Sequence, residues 1–190
     1  MHVGFAEKAE RKLQPELIQR DLIGEIHDPA SAASDEELML AGAVGRLLAE
    51  RGCTLVCGGL GGAMAAACRG AKEAGGVTVG IVPGYDDRAA NPWVDHVICT
   101  GLGQARNTLV AATGQALIAI GGGWGTLSEI ALGLRLGRPV VLLGGWSGLF
   151  ASAAGREQLA GLEGTIVMAD TAEAAVAAAI AAVDAGPNPG

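Results

Sequence analysis

No run of this 190-residue sequence stays apolar for the roughly 18 to 20 residues that a membrane-spanning helix needs, although half of its residues are apolar and its mean hydropathy is +0.37. Glycine, serine or a charge interrupts each long apolar stretch, so no membrane partner is expected. Residues 1–17 carry Glu7, Glu10 and Glu16 and have no apolar centre, which excludes a signal peptide there. Basic residues are few and scattered: 13 Lys and Arg stand against 20 Asp and Glu, a formal charge of −7. A nucleic-acid polymer is gripped by a basic stripe, and none is present. A small anion is a different matter, because helix N-termini and backbone N–H groups supply a local positive field on an acidic protein. Cysteine is sparse as well. Cys53, Cys57, Cys68 and Cys99 lie among apolar neighbours, and the Cys53–Cys57 spacing within a strand is poor for a metal. They read as small core residues of a reducing, cytoplasmic compartment; no metal site is expected.

What the sequence does contain is alternation. From residue 21 to 185, short β-branched runs (22–26, 53–57, 77–82, 94–99, 116–120, 140–143, 165–168) alternate with alanine-rich helical stretches (to residue 51 from a cap at Ser34, then 63–74, 103–113, 126–136, 171–183). Ser34 and Glu37 have the spacing of a capping box. Residues 144–164 read as a less regular connection with a short helix near 156–159. Residues 1–20 are an N-terminal extension open to a helical reading, and 186–190 a flexible tail. Strands apolar along most of their length and separated by helices imply an α/β fold. The expectation is one Rossmann-like domain with a doubly wound, mostly parallel sheet in three α/β/α layers. Right-handed crossovers put every strand-to-helix turn at one sheet edge, where ligands of such folds bind.

Two glycine-rich turns fall at that edge. Gly121-Gly122-Gly123-Trp124-Gly125-Thr126 joins a buried strand to a helix. Four glycines in five positions admit positive φ and remove the Cβ atoms that would keep a phosphate away, leaving the first N–H groups of the helix to face it. No lysine follows, so it is not a P-loop, and Thr126 stands where a dinucleotide fingerprint has its last glycine. Gly58-Gly59-Leu60-Gly61-Gly62 repeats the arrangement, so both turns are expected to border one crevice. Other residues have two readings. Thr126 and Glu129 have capping-box spacing, so Glu129 is either a cap or a site carboxylate. Arg106 is either a solvated surface arginine or a site residue. Trp124 either stacks on a ring or covers its turn, and Asp95 and His96 read as exposed polar residues.

The run Gly121-Gly122-Gly123-Trp124-Gly125-Thr126-Leu127-Ser128-Glu129, preceded by Gly103-Gln104-Ala105-Arg106-Asn107, resembles the Lonely Guy superfamily, once described as lysine decarboxylases, over residues 22–146. Within it the chain looks most like the molybdenum-cofactor carrier branch, a branch sometimes tied to DNA processing. The enzymatic branch cleaves the N-glycosidic bond of nucleoside 5′-monophosphates without a cofactor. Its signature is Pro-Gly-Gly-x-Gly-Thr-x-x-Glu with an upstream Arg-Lys pair. The resemblance implies Arg106 and Glu129 as catalytic residues if the chain hydrolyses. Gly121 replaces the signature's proline, Asn107 its lysine, and Ile26-His27-Asp28-Pro29 the usual glycine-containing first turn. A decarboxylase lysine is not at hand, since only Lys8, Lys12 and Lys72 occur.

The residues and the resemblance together lead to a protein that binds a nucleotide or a pterin phosphate. Gly58, Gly59, Gly61, Gly62, Arg106, Asn107, Gly121, Gly122, Gly123, Trp124, Gly125 and Thr126 are its expected contacts. The molybdenum cofactor is a candidate ligand. The alternatives are a nucleoside-monophosphate phosphoribohydrolase and, disfavoured by charge, a DNA-processing accessory. Alanine-rich helices that one sheet cannot cover on every side, together with the resemblance, predict a homodimer or larger homo-oligomer.

Overall fold

Seven strands of the computed structural model, which describes residues 22–26, 33–144 and 164–185, pair in parallel into one sheet of order β4-β3-β2-β1-β5-β6-β7. The strands are β1 (Leu22–Ile26), β2 (Thr54–Cys57), β3 (Val77–Val82), β4 (His96–Cys99), β5 (Ala116–Ile120), β6 (Val140–Leu143) and β7 (Ile166–Ala169). The helices are α1 (Asp35–Glu50), α2 (Ala63–Glu73), α3 (Asn107–Thr113), α4 (Trp124–Arg135) and α5 (Ala172–Asp184). Alternate residues of the central strands feed two apolar layers, as a sheet buried on both faces requires. Ile118, Ile120, Val141 and Leu143 pack with residues of α1, α2 and α5. Leu117, Ala119, Val140 and Leu142 pack with residues of α3 and α4. The expected α/β/α layering is therefore present.

Local rules set the first helix. Ser34 Oγ accepts from the Glu37 amide, and Glu37 Oε2 accepts from the Ser34 amide at 2.7 Å, which is the reciprocal capping box. Along their length α1 and α2 touch backbone to backbone. A Cβ on Gly45 would overlap the Ala67 carbonyl, and one on Gly70 the Gly42 carbonyl. These two glycines let the layer above β1 and β2 close tightly.

The chain winds outward from β1 to β4 and then returns through α3 to β5, on the other side of β1. Strand order reverses there, so the C-terminal ends of β1, β2 and β5 border the crevice that doubly wound sheets use for ligands.

Several sequence expectations are corrected. Residues 103–113 divide into a 3-10 turn (Gly103–Arg106) and the short α3. β4 starts at His96 rather than 94, because the preceding residues are tied sideways to β3: Thr78 Oγ1 donates to the Trp93 carbonyl, and the Thr78 amide to Asp95 Oδ2 at 2.9 Å. Asp95 and His96 are exposed, as expected, and Asp95 also meets Lys72 Nζ at 2.6 Å. Partial burial pushes its pKa up, but Lys72 and the two Thr78 donors outweigh that and hold it below the usual value. Of the cysteines, Cys53, Cys57 and Cys68 are buried as expected, whereas Cys99 is exposed. β7 is shifted by one residue, to 166–169. The expectations for 1–20, the first turn at 27–29, the helix near 156–159 and the tail 186–190 lie outside the described residues. Among the described residues no helix is long and apolar enough to cross a membrane.

Candidate functional site

Both glycine turns leave helix ends without a side-chain cap. α2 has Gly62 and α4 has Gly123 at the N-cap, neither of which makes a side-chain cap bond, whereas α1 and α5 are capped by Ser34 and Thr171. A helix start without such a cap turns its first N–H groups and its positive end outward. α4 begins at Trp124, two residues before the start read from the sequence. Thr126 is therefore the third residue of the helix, and Thr126–Glu129 is no capping box. The Thr126 hydroxyl is buried without a hydrogen-bond partner. Directly over it lies Gly122, with φ +127°, and a Cβ there would overlap the Thr126 side chain. Trp124 projects beside the turn, 85% exposed.

The first turn is held from below and from the side. Cys57, the last residue of β2, accepts from the Gly59 amide through its sulfur at 3.3 Å and lies 3.5 Å from Cys68 Sγ. Hydrogen bonding with Cys57 holds the Cys68 thiol below its ordinary pKa, against the opposing effect of burial. The Asn91 amide group donates to the carbonyls of Gly59 and Leu60 at 3.1 and 2.9 Å. Gly58 and Gly59 are buried, while Gly61 and Gly62 are exposed.

Arg106 and Glu129 are the main discovery of the fold at this place. Neither is on the surface: both residues are 3% exposed, and Arg106 Nη1 lies 3.4 Å from Glu129 Oε1. The guanidinium reaches this position because residue 58 has no side chain, since a Cβ on Gly58 would fall on it. Arg106 Nε has no hydrogen-bond partner. Three distant segments thus converge: the end of β2, the turn before α3 and the second turn of α4. An ion pair so enclosed orients the carboxylate.

Asn107, next in the chain, is also buried. Its side-chain amide donates to Ser128 Oγ at 2.9 Å, and Ser128 Oγ in turn donates to the Gly125 carbonyl at 2.6 Å. Asn107 thereby pins the start of α3 to the first turn of α4. Gly121 has φ +54°, outside the range near −65° to which proline is locked. A Cβ at 121 would overlap the carboxylate of Glu37. Both departures from the hydrolase signature therefore have a structural role here.

Glu37 is the residue that sequence reasoning missed. It was legible as a capping partner, but its approach to Gly121 depends on α1 starting beside the end of β5. On the same side Ala33 approaches Gly62. The first turn of α1 therefore lies between the two glycine turns, opposite the Arg106–Glu129 pair. Away from these turns, Tyr85, Asp86, Asp87, Arg88, Val97 and Cys99 line an open cleft of about 680 Å³ at the β4 edge. Among the described residues no three His, Cys, Asp or Glu side chains are grouped to hold a metal ion.

The model of the SLOG cluster4 family matches residues 21–176. The structure of the molybdenum cofactor binding protein from Rippkaea orientalis superimposes with a TM-score of 0.76 at 34% identity, covering 86% of this chain and 98% of that one. The molybdenum cofactor carrier protein of Chlamydomonas reinhardtii gives the same TM-score at 36% identity, covering 88% and 99%. The cytokinin riboside 5′-monophosphate phosphoribohydrolase of Mycobacterium marinum is 36% identical over 108 residues, which span 55% of this chain and 58% of that protein.

Proposed function

The chain belongs to the SLOG cluster4 family, and on that footing we propose that it is a carrier, binding a nucleotide or a pterin phosphate such as the molybdenum cofactor with the phosphate on its glycine turns. The observation that carries this reading is the start of α4, where no side chain caps the helix, Gly122 leaves room, and the buried Thr126 hydroxyl has no partner. The backbone N–H groups of residues 122–126 and that hydroxyl are the donors an anionic oxygen needs. Gly58, Gly59, Gly61 and Gly62 form the opposite rim, Arg106 adds charge from beneath, Asn107 stiffens the turn, and Trp124 offers a face to a ring. The molybdenum cofactor enters as cargo, held through its phosphate.

A second reading, phosphoribohydrolysis, is favoured by the buried Arg106–Glu129 pair. In that reaction water replaces the base at the anomeric carbon of a nucleoside 5′-monophosphate, giving free base and ribose 5-phosphate. Glu129 would stabilise the oxocarbenium-like transition state and orient the water, with Arg106 restraining the carboxylate and the sugar phosphate. The carrier reading stands first because Gly121 and Asn107 depart from the hydrolase signature and both have structural work.

One experiment separates them. Mass spectrometry of the protein purified from its native cells is expected to find a phosphorylated pterin or nucleotide, and incubation with a panel of nucleoside monophosphates no sustained release of base. Sustained release that collapses in both Arg106→Ala and Glu129→Ala would replace the first reading with the second.

The carrier reading includes self-association. Trp124, Leu102 and Leu109 expose apolar surface around α3 and the start of α4, which a two-fold mate would cover at about 25 cal/mol per Å². Sedimentation equilibrium at micromolar concentration is expected to give at least twice the 18.9 kDa chain mass; the monomer mass would remove this part of the reading.

A further inference from the structure

Glu37 divides its carboxylate between two tasks. Oε2 accepts from the Ser34 amide at 2.7 Å and lies 3.0 Å from the Ser34 hydroxyl, and this completes the cap of α1. Oε1 is not needed for the cap. It lies against the Cα of Gly121, in the space that a side chain at 121 would fill. Among the described residues no hydrogen bond reaches it. An acceptor oxygen bearing negative charge thus stands at the root of the turn that leads into α4. Across the crevice the cationic Arg106 already has Glu129 beside it, and among the described residues Glu37 makes no ion pair.

We propose that Glu37 selects the ligand: Oε1 accepts a hydrogen bond from a hydroxyl or ring N–H of a phosphomonoester and disfavours any ligand that brings a second phosphate to the turn. The inference rests on the phosphate reading above and adds which phosphorylated molecules are taken. Two like charges within several ångströms of each other, partly shielded from water, repel strongly enough to change affinity about tenfold. A carboxylate so placed is tolerable beside one phosphate that the N–H groups neutralise, and costly beside a pyrophosphate. The donor side of the argument follows from the same geometry, because a carboxylate accepts hydrogen bonds and cannot donate them.

The test compares AMP and ADP by calorimetry on the full chain in three forms. Wild type is expected to bind AMP more tightly than ADP. Glu37→Gln keeps an oxygen for the Ser34 amide and removes the charge, and is expected to narrow the AMP-to-ADP affinity ratio about tenfold. Ser34→Ala weakens the same cap but leaves the charge, and is expected to keep the wild-type ratio. Binding of AMP by wild type with an unchanged ratio in Glu37→Gln overturns this inference alone. A ratio that narrows equally in Ser34→Ala also overturns it, since the cap and not the charge would then be responsible. If wild type binds neither nucleotide and no phosphorylated pterin, the phosphate reading itself fails. Should Glu37→Gln not fold, Glu37→Asp, which withdraws the charge from Gly121 by one methylene, is read against the same ratio.

Discussion

Replacement of Arg106 by methionine is expected to lower the free energy of unfolding by about 3 to 5 kcal/mol, measured by urea titration. The guanidinium is 3% exposed and stands 3.4 Å from a carboxylate that is equally enclosed. Its loss breaks a buried ion pair on one side only, which costs more than the pair contributed. Replacing both at once, Arg106→Met with Glu129→Leu, removes the pair whole and is expected to recover most of the loss. A single variant within about 1 kcal/mol of wild type would mean that the pair contributes little to stability. The two variants together also weigh stability against ligand affinity at this pair, since loss of binding in the stable double variant would assign the charges to the ligand.

The largest expected effect on binding belongs to Gly122→Val. Gly122 has φ +127°, a conformation β-branched residues avoid, and its Cβ would overlap the Thr126 side chain. The valine must push the turn away from the first N–H groups of α4 and cover the hydroxyl beneath. Affinity for AMP, or for a phosphorylated pterin, is expected to fall at least about a hundredfold, the loss of two or more good hydrogen bonds to an anion. Gly137→Ala is the matched control: its φ is +70°, nothing lies within 4 Å of the added Cβ, and it sits at the far end of α4. That variant carries backbone strain without touching the turn, and its affinity is expected to stay at the wild-type value. A folded Gly122→Val protein that binds as wild type does would remove the α4 turn from the ligand site.

Elements set by short-range rules were legible from the chain alone. The capping box of Ser34 and Glu37, the buried strands 116–120 and 140–143, and the turn-to-helix junction at residue 62 need only local propensity and period, and they stand where the sequence puts them. The start of α4 was misread because glycine carries almost no local preference. Gly123, at φ −123° and ψ −147°, stands outside the helix and Trp124 inside it, and nothing in a run of glycines announces which. Arg106 was open to a surface reading because its burial is decided elsewhere in the chain, by the missing side chain at 58 and by Glu129 across the α3–α4 contact. Asp95 is exposed as its sequence suggests, but its partners Thr78 and Lys72 come from β3 and α2, and only the register of β3 against the incoming strand brings them close. What remained hidden was side-chain company across distant segments, which periodicity does not encode.

The uneven placement of the thiols also suits the protein to spectroscopy. Cys53, Cys57 and Cys68 are buried in the folded chain, and Cys99 alone among the four is exposed, at the end of the edge strand β4. A thiolate must meet its reagent in water, so a maleimide dye under native conditions has one address. Wild-type protein can therefore carry a single fluorophore or spin label with no cysteine replaced, and the label would report from the rim of the sheet on anything that docks or moves there.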